Sequence, residues 1–257
     1  MVAVTRLEER AALPRAAGLG RYWEIDTARG LAVLLMVVFH YSFTLRYFGV
    51  YDVGGGWLYW ELFPRFIGSM FITVSGISLA LAYGRLPWAV FRARNIVRGL
   101  KILACGLLIT VATAVLLPEG TIVFGILHLL GTSILLALPL ARFPRLALLA
   151  GVAALGLGVY FSQFTLDVPW LLWLGLPPHA FFTLDYYPLL PWFGIFLIAY
   201  VVGQRLYPRG ERGFGLGPAH GPARAVGWLG QHSLAIYLVH QPLFVGLLYL
   251  LGWRILG

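Results

Sequence analysis

Arg29 and His40 stand in one apolar run, eleven residues apart. On a helix that is about three turns, which puts both on one face. A histidine among apolar side chains can titrate near neutral pH and act as a general base. Both residues also have a plain structural use: Arg29 can snorkel to a membrane surface, and His40 can hydrogen-bond to a neighbouring helix. Glu61 and Arg65 have the i, i+4 spacing of an ion pair, with Ser69 continuing their face. His128 shares a stripe with Gly125 and Thr132. Asp185 opens the run Asp185-Tyr186-Tyr187-Pro188, with Trp192 and Gly194 beyond it. The last apolar run carries His232, Ser233, Tyr237, His240 and Gln241, and Ser233 and His240 are seven apart on one face.

The elements that must position these groups are membrane helices. Of 257 residues 60% are hydrophobic and 11% charged, and mean hydropathy is +0.83. A soluble domain carries about 25% charged residues, so these few polar groups cannot cover a globule in water. A hydrocarbon core needs roughly 20 apolar residues per helical span. Seven candidates fit: 27–48, 57–83, 96–117, 122–141, 146–161, 187–206 and 226–251. The expected fold is an all-α polytopic bundle of about seven transmembrane helices, one domain over 21–257, after a cytoplasmic tail at 1–20. Segment 168–182 is apolar but broken by Pro169 and Pro177-Pro178, and reads as an interfacial or re-entrant piece.

Charge sets the expected orientation. With the N-terminus inside, the inner segments hold Arg6, Arg10, Arg15 and Arg21, then Arg85, Arg92, Arg94, Arg98 and Lys101. Arg142 and Arg145 follow, then Arg205, Arg209, Arg212 and Arg224. The outer segments hold only Arg46 and Arg254, with Arg65 near that face inside the second span, and carry Asp52, Glu119, Asp167 and Asp185. This alternation predicts a cytoplasmic N-terminus and an extracytoplasmic C-terminus. The net charge of +9 is thereby a matter of topology and not of nucleic acid. Cys105 is the one cysteine, so no intramolecular disulfide forms.

On this topology His40, Glu61, Arg65, His128, Asp185 and His240 all fall in the outer half. Ionisable groups at membrane depth are costly, and their common level predicts one polar site facing the outside. The chain has no HExxH, no Gly-x-Ser-x-Gly elbow, no zinc-type Cys/His spacing and no P-loop, so no metal and no ATP-driven step are expected. An enzyme site and a solute or proton pathway both fit such a cluster.

Four runs carry a resemblance. They are Arg21-Tyr-Trp-Glu-Ile-Asp26-Thr-Ala-Arg29-Gly30 on to His40, Phe124-Gly-Ile-Leu-His128, Leu184-Asp-Tyr-Tyr-Pro-Leu-Leu-Pro-Trp-Phe-Gly194, and Trp228-Leu-Gly-Gln-His-Ser-Leu-Ala-Ile-Tyr-Leu-Val-His240-Gln-Pro. Together they resemble prokaryotic membrane proteins related to the catalytic domain of heparan-alpha-glucosaminide N-acetyltransferase. Arg29-Gly30 followed by His40 also resembles the first span of membrane sugar O-acyltransferases. The resemblance implies transfer of an acetyl or acyl group from acetyl-CoA or another acyl-CoA, held on the cytoplasmic side, to an extracytoplasmic sugar or glycolipid. It implies His40, His128 and His240 as catalytic candidates, Arg29 and Arg98 on the donor, and Glu61, Arg65, Tyr51, Asp185, Trp192 and Ser233 in support. In the lysosomal enzyme a functional histidine lies in the loop after the first span. Here that place falls near Tyr51, and no histidine stands between His40 and His128. The expected setting is the plasma membrane of a prokaryote, with the lipid bilayer as partner, no nucleic acid, and homo-oligomer formation left open. The rival expectation is a transporter or channel that moves protons or a small solute through the same polar site.

Overall fold

The structure, a computed structural model, describes residues 20–252. Residues 1–19 of the expected tail at 1–20, with Arg6, Arg10 and Arg15, and the end at 253–257, with Arg254, lie outside those residues. Among the described residues there is no strand, only the isolated bridge Phe124–Tyr186. The helices are α1 (Trp23–Tyr47), α2 (Phe63–Arg85), α3 (Trp88–Leu116), α4 (Ile126–Ala137), α5 (Pro144–Phe161), α6 (Leu189–Leu206), α7 (Gly221–Gln231) and α8 (Ser233–Leu250). A π-helical turn, Leu58–Leu62, leads into α2, so that the second span runs from Leu58 to Arg85.

Among the described residues six spans are long and apolar enough to cross a membrane: α1, the Leu58–Arg85 run, α3, α5, α6 and α8. Their outer faces are apolar, as on α3 (Leu108 63% exposed, Val115 74%) and α5 (Leu149 68%). Faces of that kind belong in lipid, because water would make them aggregation surfaces. The protein is thus a helical membrane bundle. The basic loop residues gather at one end, here the basic end, and Glu61, Glu119, Asp167 and Asp185 mark the opposite, acidic end.

Three expected spans differ. The fourth, expected over 122–141, is helical only over α4, about 18 Å of rise. It still returns the chain to the basic end, where the Arg142 guanidinium lies 5.1 Å over the Trp88 ring at the start of α3. Its short length is tolerated because α4 is enclosed by protein, with nine of its residues buried, and buried backbone need not match the lipid thickness. The seventh, expected over 226–251, is two helices. The chain leaves helical geometry at His232 (φ −105°, ψ 14°); α7 packs on the first turns of α1, while α8 is long and apolar enough to make the crossing. The third helix begins earlier than the expected 96, at Trp88, because arginine and lysine are good helix formers and extend it through the basic loop.

Close approach of small residues holds the bundle together, as is usual where lipid offers no hydrophobic drive for association. A Cβ on Gly194 of α6 would lie 2.6 Å from the Gly151 carbonyl of α5. A Cβ on Gly30 of α1 would overlap the Val226 carbonyl of α7. Ile72, Leu79, Leu129, Ile134, Phe196 and Tyr200 form the centre of the main core between α2, α4 and α6. A second cluster, Val33, Met36, Phe39 and Ile67, joins α1 to α2.

Candidate functional site

Two cavities among the described residues bring the polar groups together. The larger, about 870 Å³, opens at the acidic end and is lined by His40, Arg46, Glu61, Arg65, Asp185, Trp192 and many aromatic side chains. The smaller, about 620 Å³, lies toward the basic end and is lined by Arg21, Arg29, Arg85, Arg94, Arg98 and Lys101, with Asp26 as its one carboxylate. Phe71, Ile126 and Tyr237 line both. They form a neck between the two spaces.

His40 and His240 are brought together from α1 and α8. Their rings stack with centroids 4.9 Å apart, and His40 Nδ1 lies 2.7 Å from His240 Nε2. The proton positions follow from the partners. His240 Nδ1 is 2.7 Å from the Tyr237 carbonyl and 3.2 Å from that of Ile236. Carbonyls only accept, so His240 Nδ1 carries the hydrogen and, in the neutral ring, its Nε2 is an acceptor. His40 Nδ1–H then donates to it, which leaves His40 Nε2 with its lone pair free. That nitrogen has no hydrogen-bond partner among the described residues, is not a closed-off atom, and His40 lines the larger cavity. The backbone carbonyls of Tyr237 and Ile236 thereby set the tautomer of two rings and leave one imidazole nitrogen free to act as a base.

His128 is held apart from this pair. Its Nδ1 accepts the Gly125 N–H at 3.2 Å, and its Nε2 lies 3.2 Å from the Thr110 hydroxyl, which donates to the Ile122 carbonyl at 2.6 Å. Both ring nitrogens are used in closing the first turn of α4 against α3, and His128 lines neither cavity. Asp185, in the loop before α6, accepts the Ile126 N–H at 2.9 Å and so caps the same helix. Burial pushes its carboxyl up to about 6 despite that bond and one from Tyr237.

Glu61 and Arg65 pair at 2.9 Å as expected, but each side chain is about half exposed (50% and 54%) at the mouth of the larger cavity. Water there takes over much of the solvation that the pair supplies. Glu61→Gln should therefore change folding stability by less than about 1 kcal/mol, and Glu61→Gln with Arg65→Met by no more; denaturant titration in detergent measures both. Trp192 lines the larger cavity and packs on Tyr187. Tyr51 is 66% exposed and lines neither cavity. Ser233 lines the smaller cavity, away from the outer group with which its spacing from His240 associates it.

In the smaller cavity Arg29 bonds Asp26 at 3.2 Å and Ser78 at 2.8 Å. The buried Asp26 carboxylate also accepts from Gln231 at 3.1 Å. Arg98 has no hydrogen-bond or ion-pair partner among the described residues, although it lines the same space. Positive charge there exceeds what the protein neutralises, which is the arrangement for an anionic ligand. Sequence spacing did not reveal the sharing of this wall by α1, α2, α3, α4, α7 and α8, because the six helices meet only in three dimensions.

The model of the family described as heparan-alpha-glucosaminide N-acetyltransferase, catalytic, matches residues 21–242. The chain belongs to that family. The match takes in His40, His128, Asp185 and His240 together with both cavities. No curated protein and no solved structure matches the chain. Membership makes this heparan-alpha-glucosaminide N-acetyltransferase relative one of a membrane acyltransferase family, and transferase chemistry is its general activity.

Proposed function

We propose that the protein transfers an acetyl or longer acyl group from cytoplasmic acyl-coenzyme A to a hydroxyl or amine of an extracytoplasmic sugar or glycolipid. The observation that carries this is the pair of cavities that share a neck, one basic and the other bearing a histidine base. The donor phosphates lie among Arg29, Arg98 and their basic neighbours, with the basic end cytoplasmic, as the arginine bias favours. His40 is about 16 Å further along α1 than Arg29, a distance that the extended pantetheine arm bridges. The acceptor enters from the acidic end, where flat aromatic walls suit the apolar faces of a sugar ring and Glu61 and Arg65 flank the mouth. His40 Nε2 takes the acceptor proton as the acceptor attacks the thioester, and the proton is later returned to the departing sulfur. His240 holds the His40 ring in the productive tautomer and shares its positive charge. His128 and Asp185 fix the start of α4 beside the neck. The two ends of the chain lie on opposite sides of the membrane, the N-terminus cytoplasmic.

Purified protein should bind acetyl-coenzyme A or a longer acyl-coenzyme A. Arg98→Ala should weaken that binding about 10-fold or more, since a charge-assisted bond to phosphate contributes roughly 1.5–3 kcal/mol. Affinity should also fall as salt rises. Calorimetry on the detergent-solubilised wild type and variant measures both. Folded protein that binds no acyl-coenzyme A would overturn donor use and favour a solute pathway.

A further inference from the structure

At the neck the two cavities have three of the described residues in common. Phe71 and Ile126 offer carbon side chains there, and among these three Tyr237 alone offers a hydroxyl. A donor reaching in from the basic end and an acceptor from the acidic end must bring their reacting atoms together at this place. We infer that Tyr237 is a catalytic residue, its hydroxyl donating to the thioester carbonyl oxygen as negative charge develops on it. The inference rests on the acyl transfer proposed above.

Three observations support it. Tyr237 stands one turn before His240 on α8, and its ring centre is 6.5 Å from that of His40, edge to face, and 5.8 Å from that of His240. The base and the phenol therefore border one small space. The second observation is how loosely the hydroxyl is held. It lies 3.4 Å from Asp185 Oδ2, long for an O–H to oxygen bond. The neighbouring tyrosines of the loop before α6 are committed: Tyr186 donates to the Leu172 carbonyl and Tyr187 to the Pro64 carbonyl, each at 2.7 Å. A loosely held hydroxyl can turn to an oxyanion without giving up a strong bond. Third, Ile126 begins α4, so the neck stands at a helix N-terminus, where the backbone dipoles favour negative charge.

In the step, the acceptor oxygen or nitrogen bonds to the thioester carbon, and the carbonyl electron pair moves to oxygen. That oxyanion accepts the Tyr237 O–H, while the acceptor proton passes to His40 Nε2. The pair then returns, the carbon–sulfur bond breaks, and the thiolate takes the proton from His40. Atoms and charge balance with no further reactant.

The test is Tyr237→Phe, which keeps the ring against His40 and His240 and removes only the hydroxyl. Loss of one oxyanion donor lowers kcat by about 10²–10³-fold, so transfer should fall by that factor with the acyl-coenzyme A Kd and the melting temperature unchanged. The loss should lie in kcat and not in the KM for donor. A folded Tyr237→Phe protein that transfers within about threefold of wild type, far short of an oxyanion-donor effect, would overturn the role of Tyr237 and leave the acyl transfer itself standing. Wild-type protein that binds acyl-coenzyme A to no effect, with no acceptor acylated, would remove both.

Discussion

His40→Ala should yield a folded protein that still binds acyl-coenzyme A but transfers the acyl group about 10²–10⁴-fold more slowly, the usual contribution of a general base. The expectation comes from the proton positions around the pair. The Tyr237 carbonyl holds a hydrogen on His240 Nδ1, His240 Nε2 accepts from His40 Nδ1 at 2.7 Å, and the remaining nitrogen of His40, a residue of the larger cavity's wall, has no partner among the described residues. Removing the ring removes the base and leaves the donor wall, with Arg98, untouched. Folding should survive, because His40 is half-buried beside a cavity and its loss leaves a space that water reaches. His240→Ala should cost less, about 10-fold, since it frees the tautomer of His40 without removing the base. In the double variant the losses should not add, because the two rings act as one unit. Steady-state transfer with purified variants measures all three. A folded His40→Ala protein within about threefold of wild type, below any general-base effect, would sink the assignment.

Gly30→Val should abolish accumulation of folded protein. The added carbon would overlap the Val226 carbonyl, a backbone atom that cannot turn aside, and α7 meets it again where a Cβ on Gly230 would overlap the Asp26 carbonyl. Relief requires α7 to lift off α1. That motion would break the Thr27 hydroxyl bond to the Ala223 carbonyl at 2.9 Å and the Gln231 bond to Asp26. It would also leave the buried Asp26 short of a donor. Overpacking of this kind costs about 3 kcal/mol or more, which is a large share of a domain's stability. Gly246→Ala on α8 is the control. A Cβ there meets nothing within 4 Å, so alanine should stabilise the helix by about 0.5–1 kcal/mol. Size-exclusion profiles and thermal unfolding in detergent distinguish the two variants. Wild-type yield and melting temperature for Gly30→Val would contradict the packing of α7 on α1.

Composition and the lengths of the apolar runs by themselves determined a helical membrane bundle, because 60% hydrophobic residues in runs of about 20 leave lipid as the only solvent that fits. The order of four short motifs was enough for the family, which the match over residues 21–242 bears out. The i, i+4 spacing of Glu61 and Arg65 sufficed for their ion pair, since one helix carries both. Spacing within a helix also put Arg29 and His40 on one face, and they do line successive cavities along it. What no single helix encodes was decided by tertiary structure. His40 and His240 are 200 residues apart, and only the packing of α8 on α1 turns two separate candidates into a pair with assigned protons. His128 had the same standing in the sequence, yet Gly125 and Thr110 occupy both its nitrogens and keep it out of either cavity. The break at His232 and the shortening of α4 were hidden for a related reason. Hydropathy reports that a segment prefers an apolar setting, but it does not distinguish lipid from the protein interior, and only lipid imposes a length.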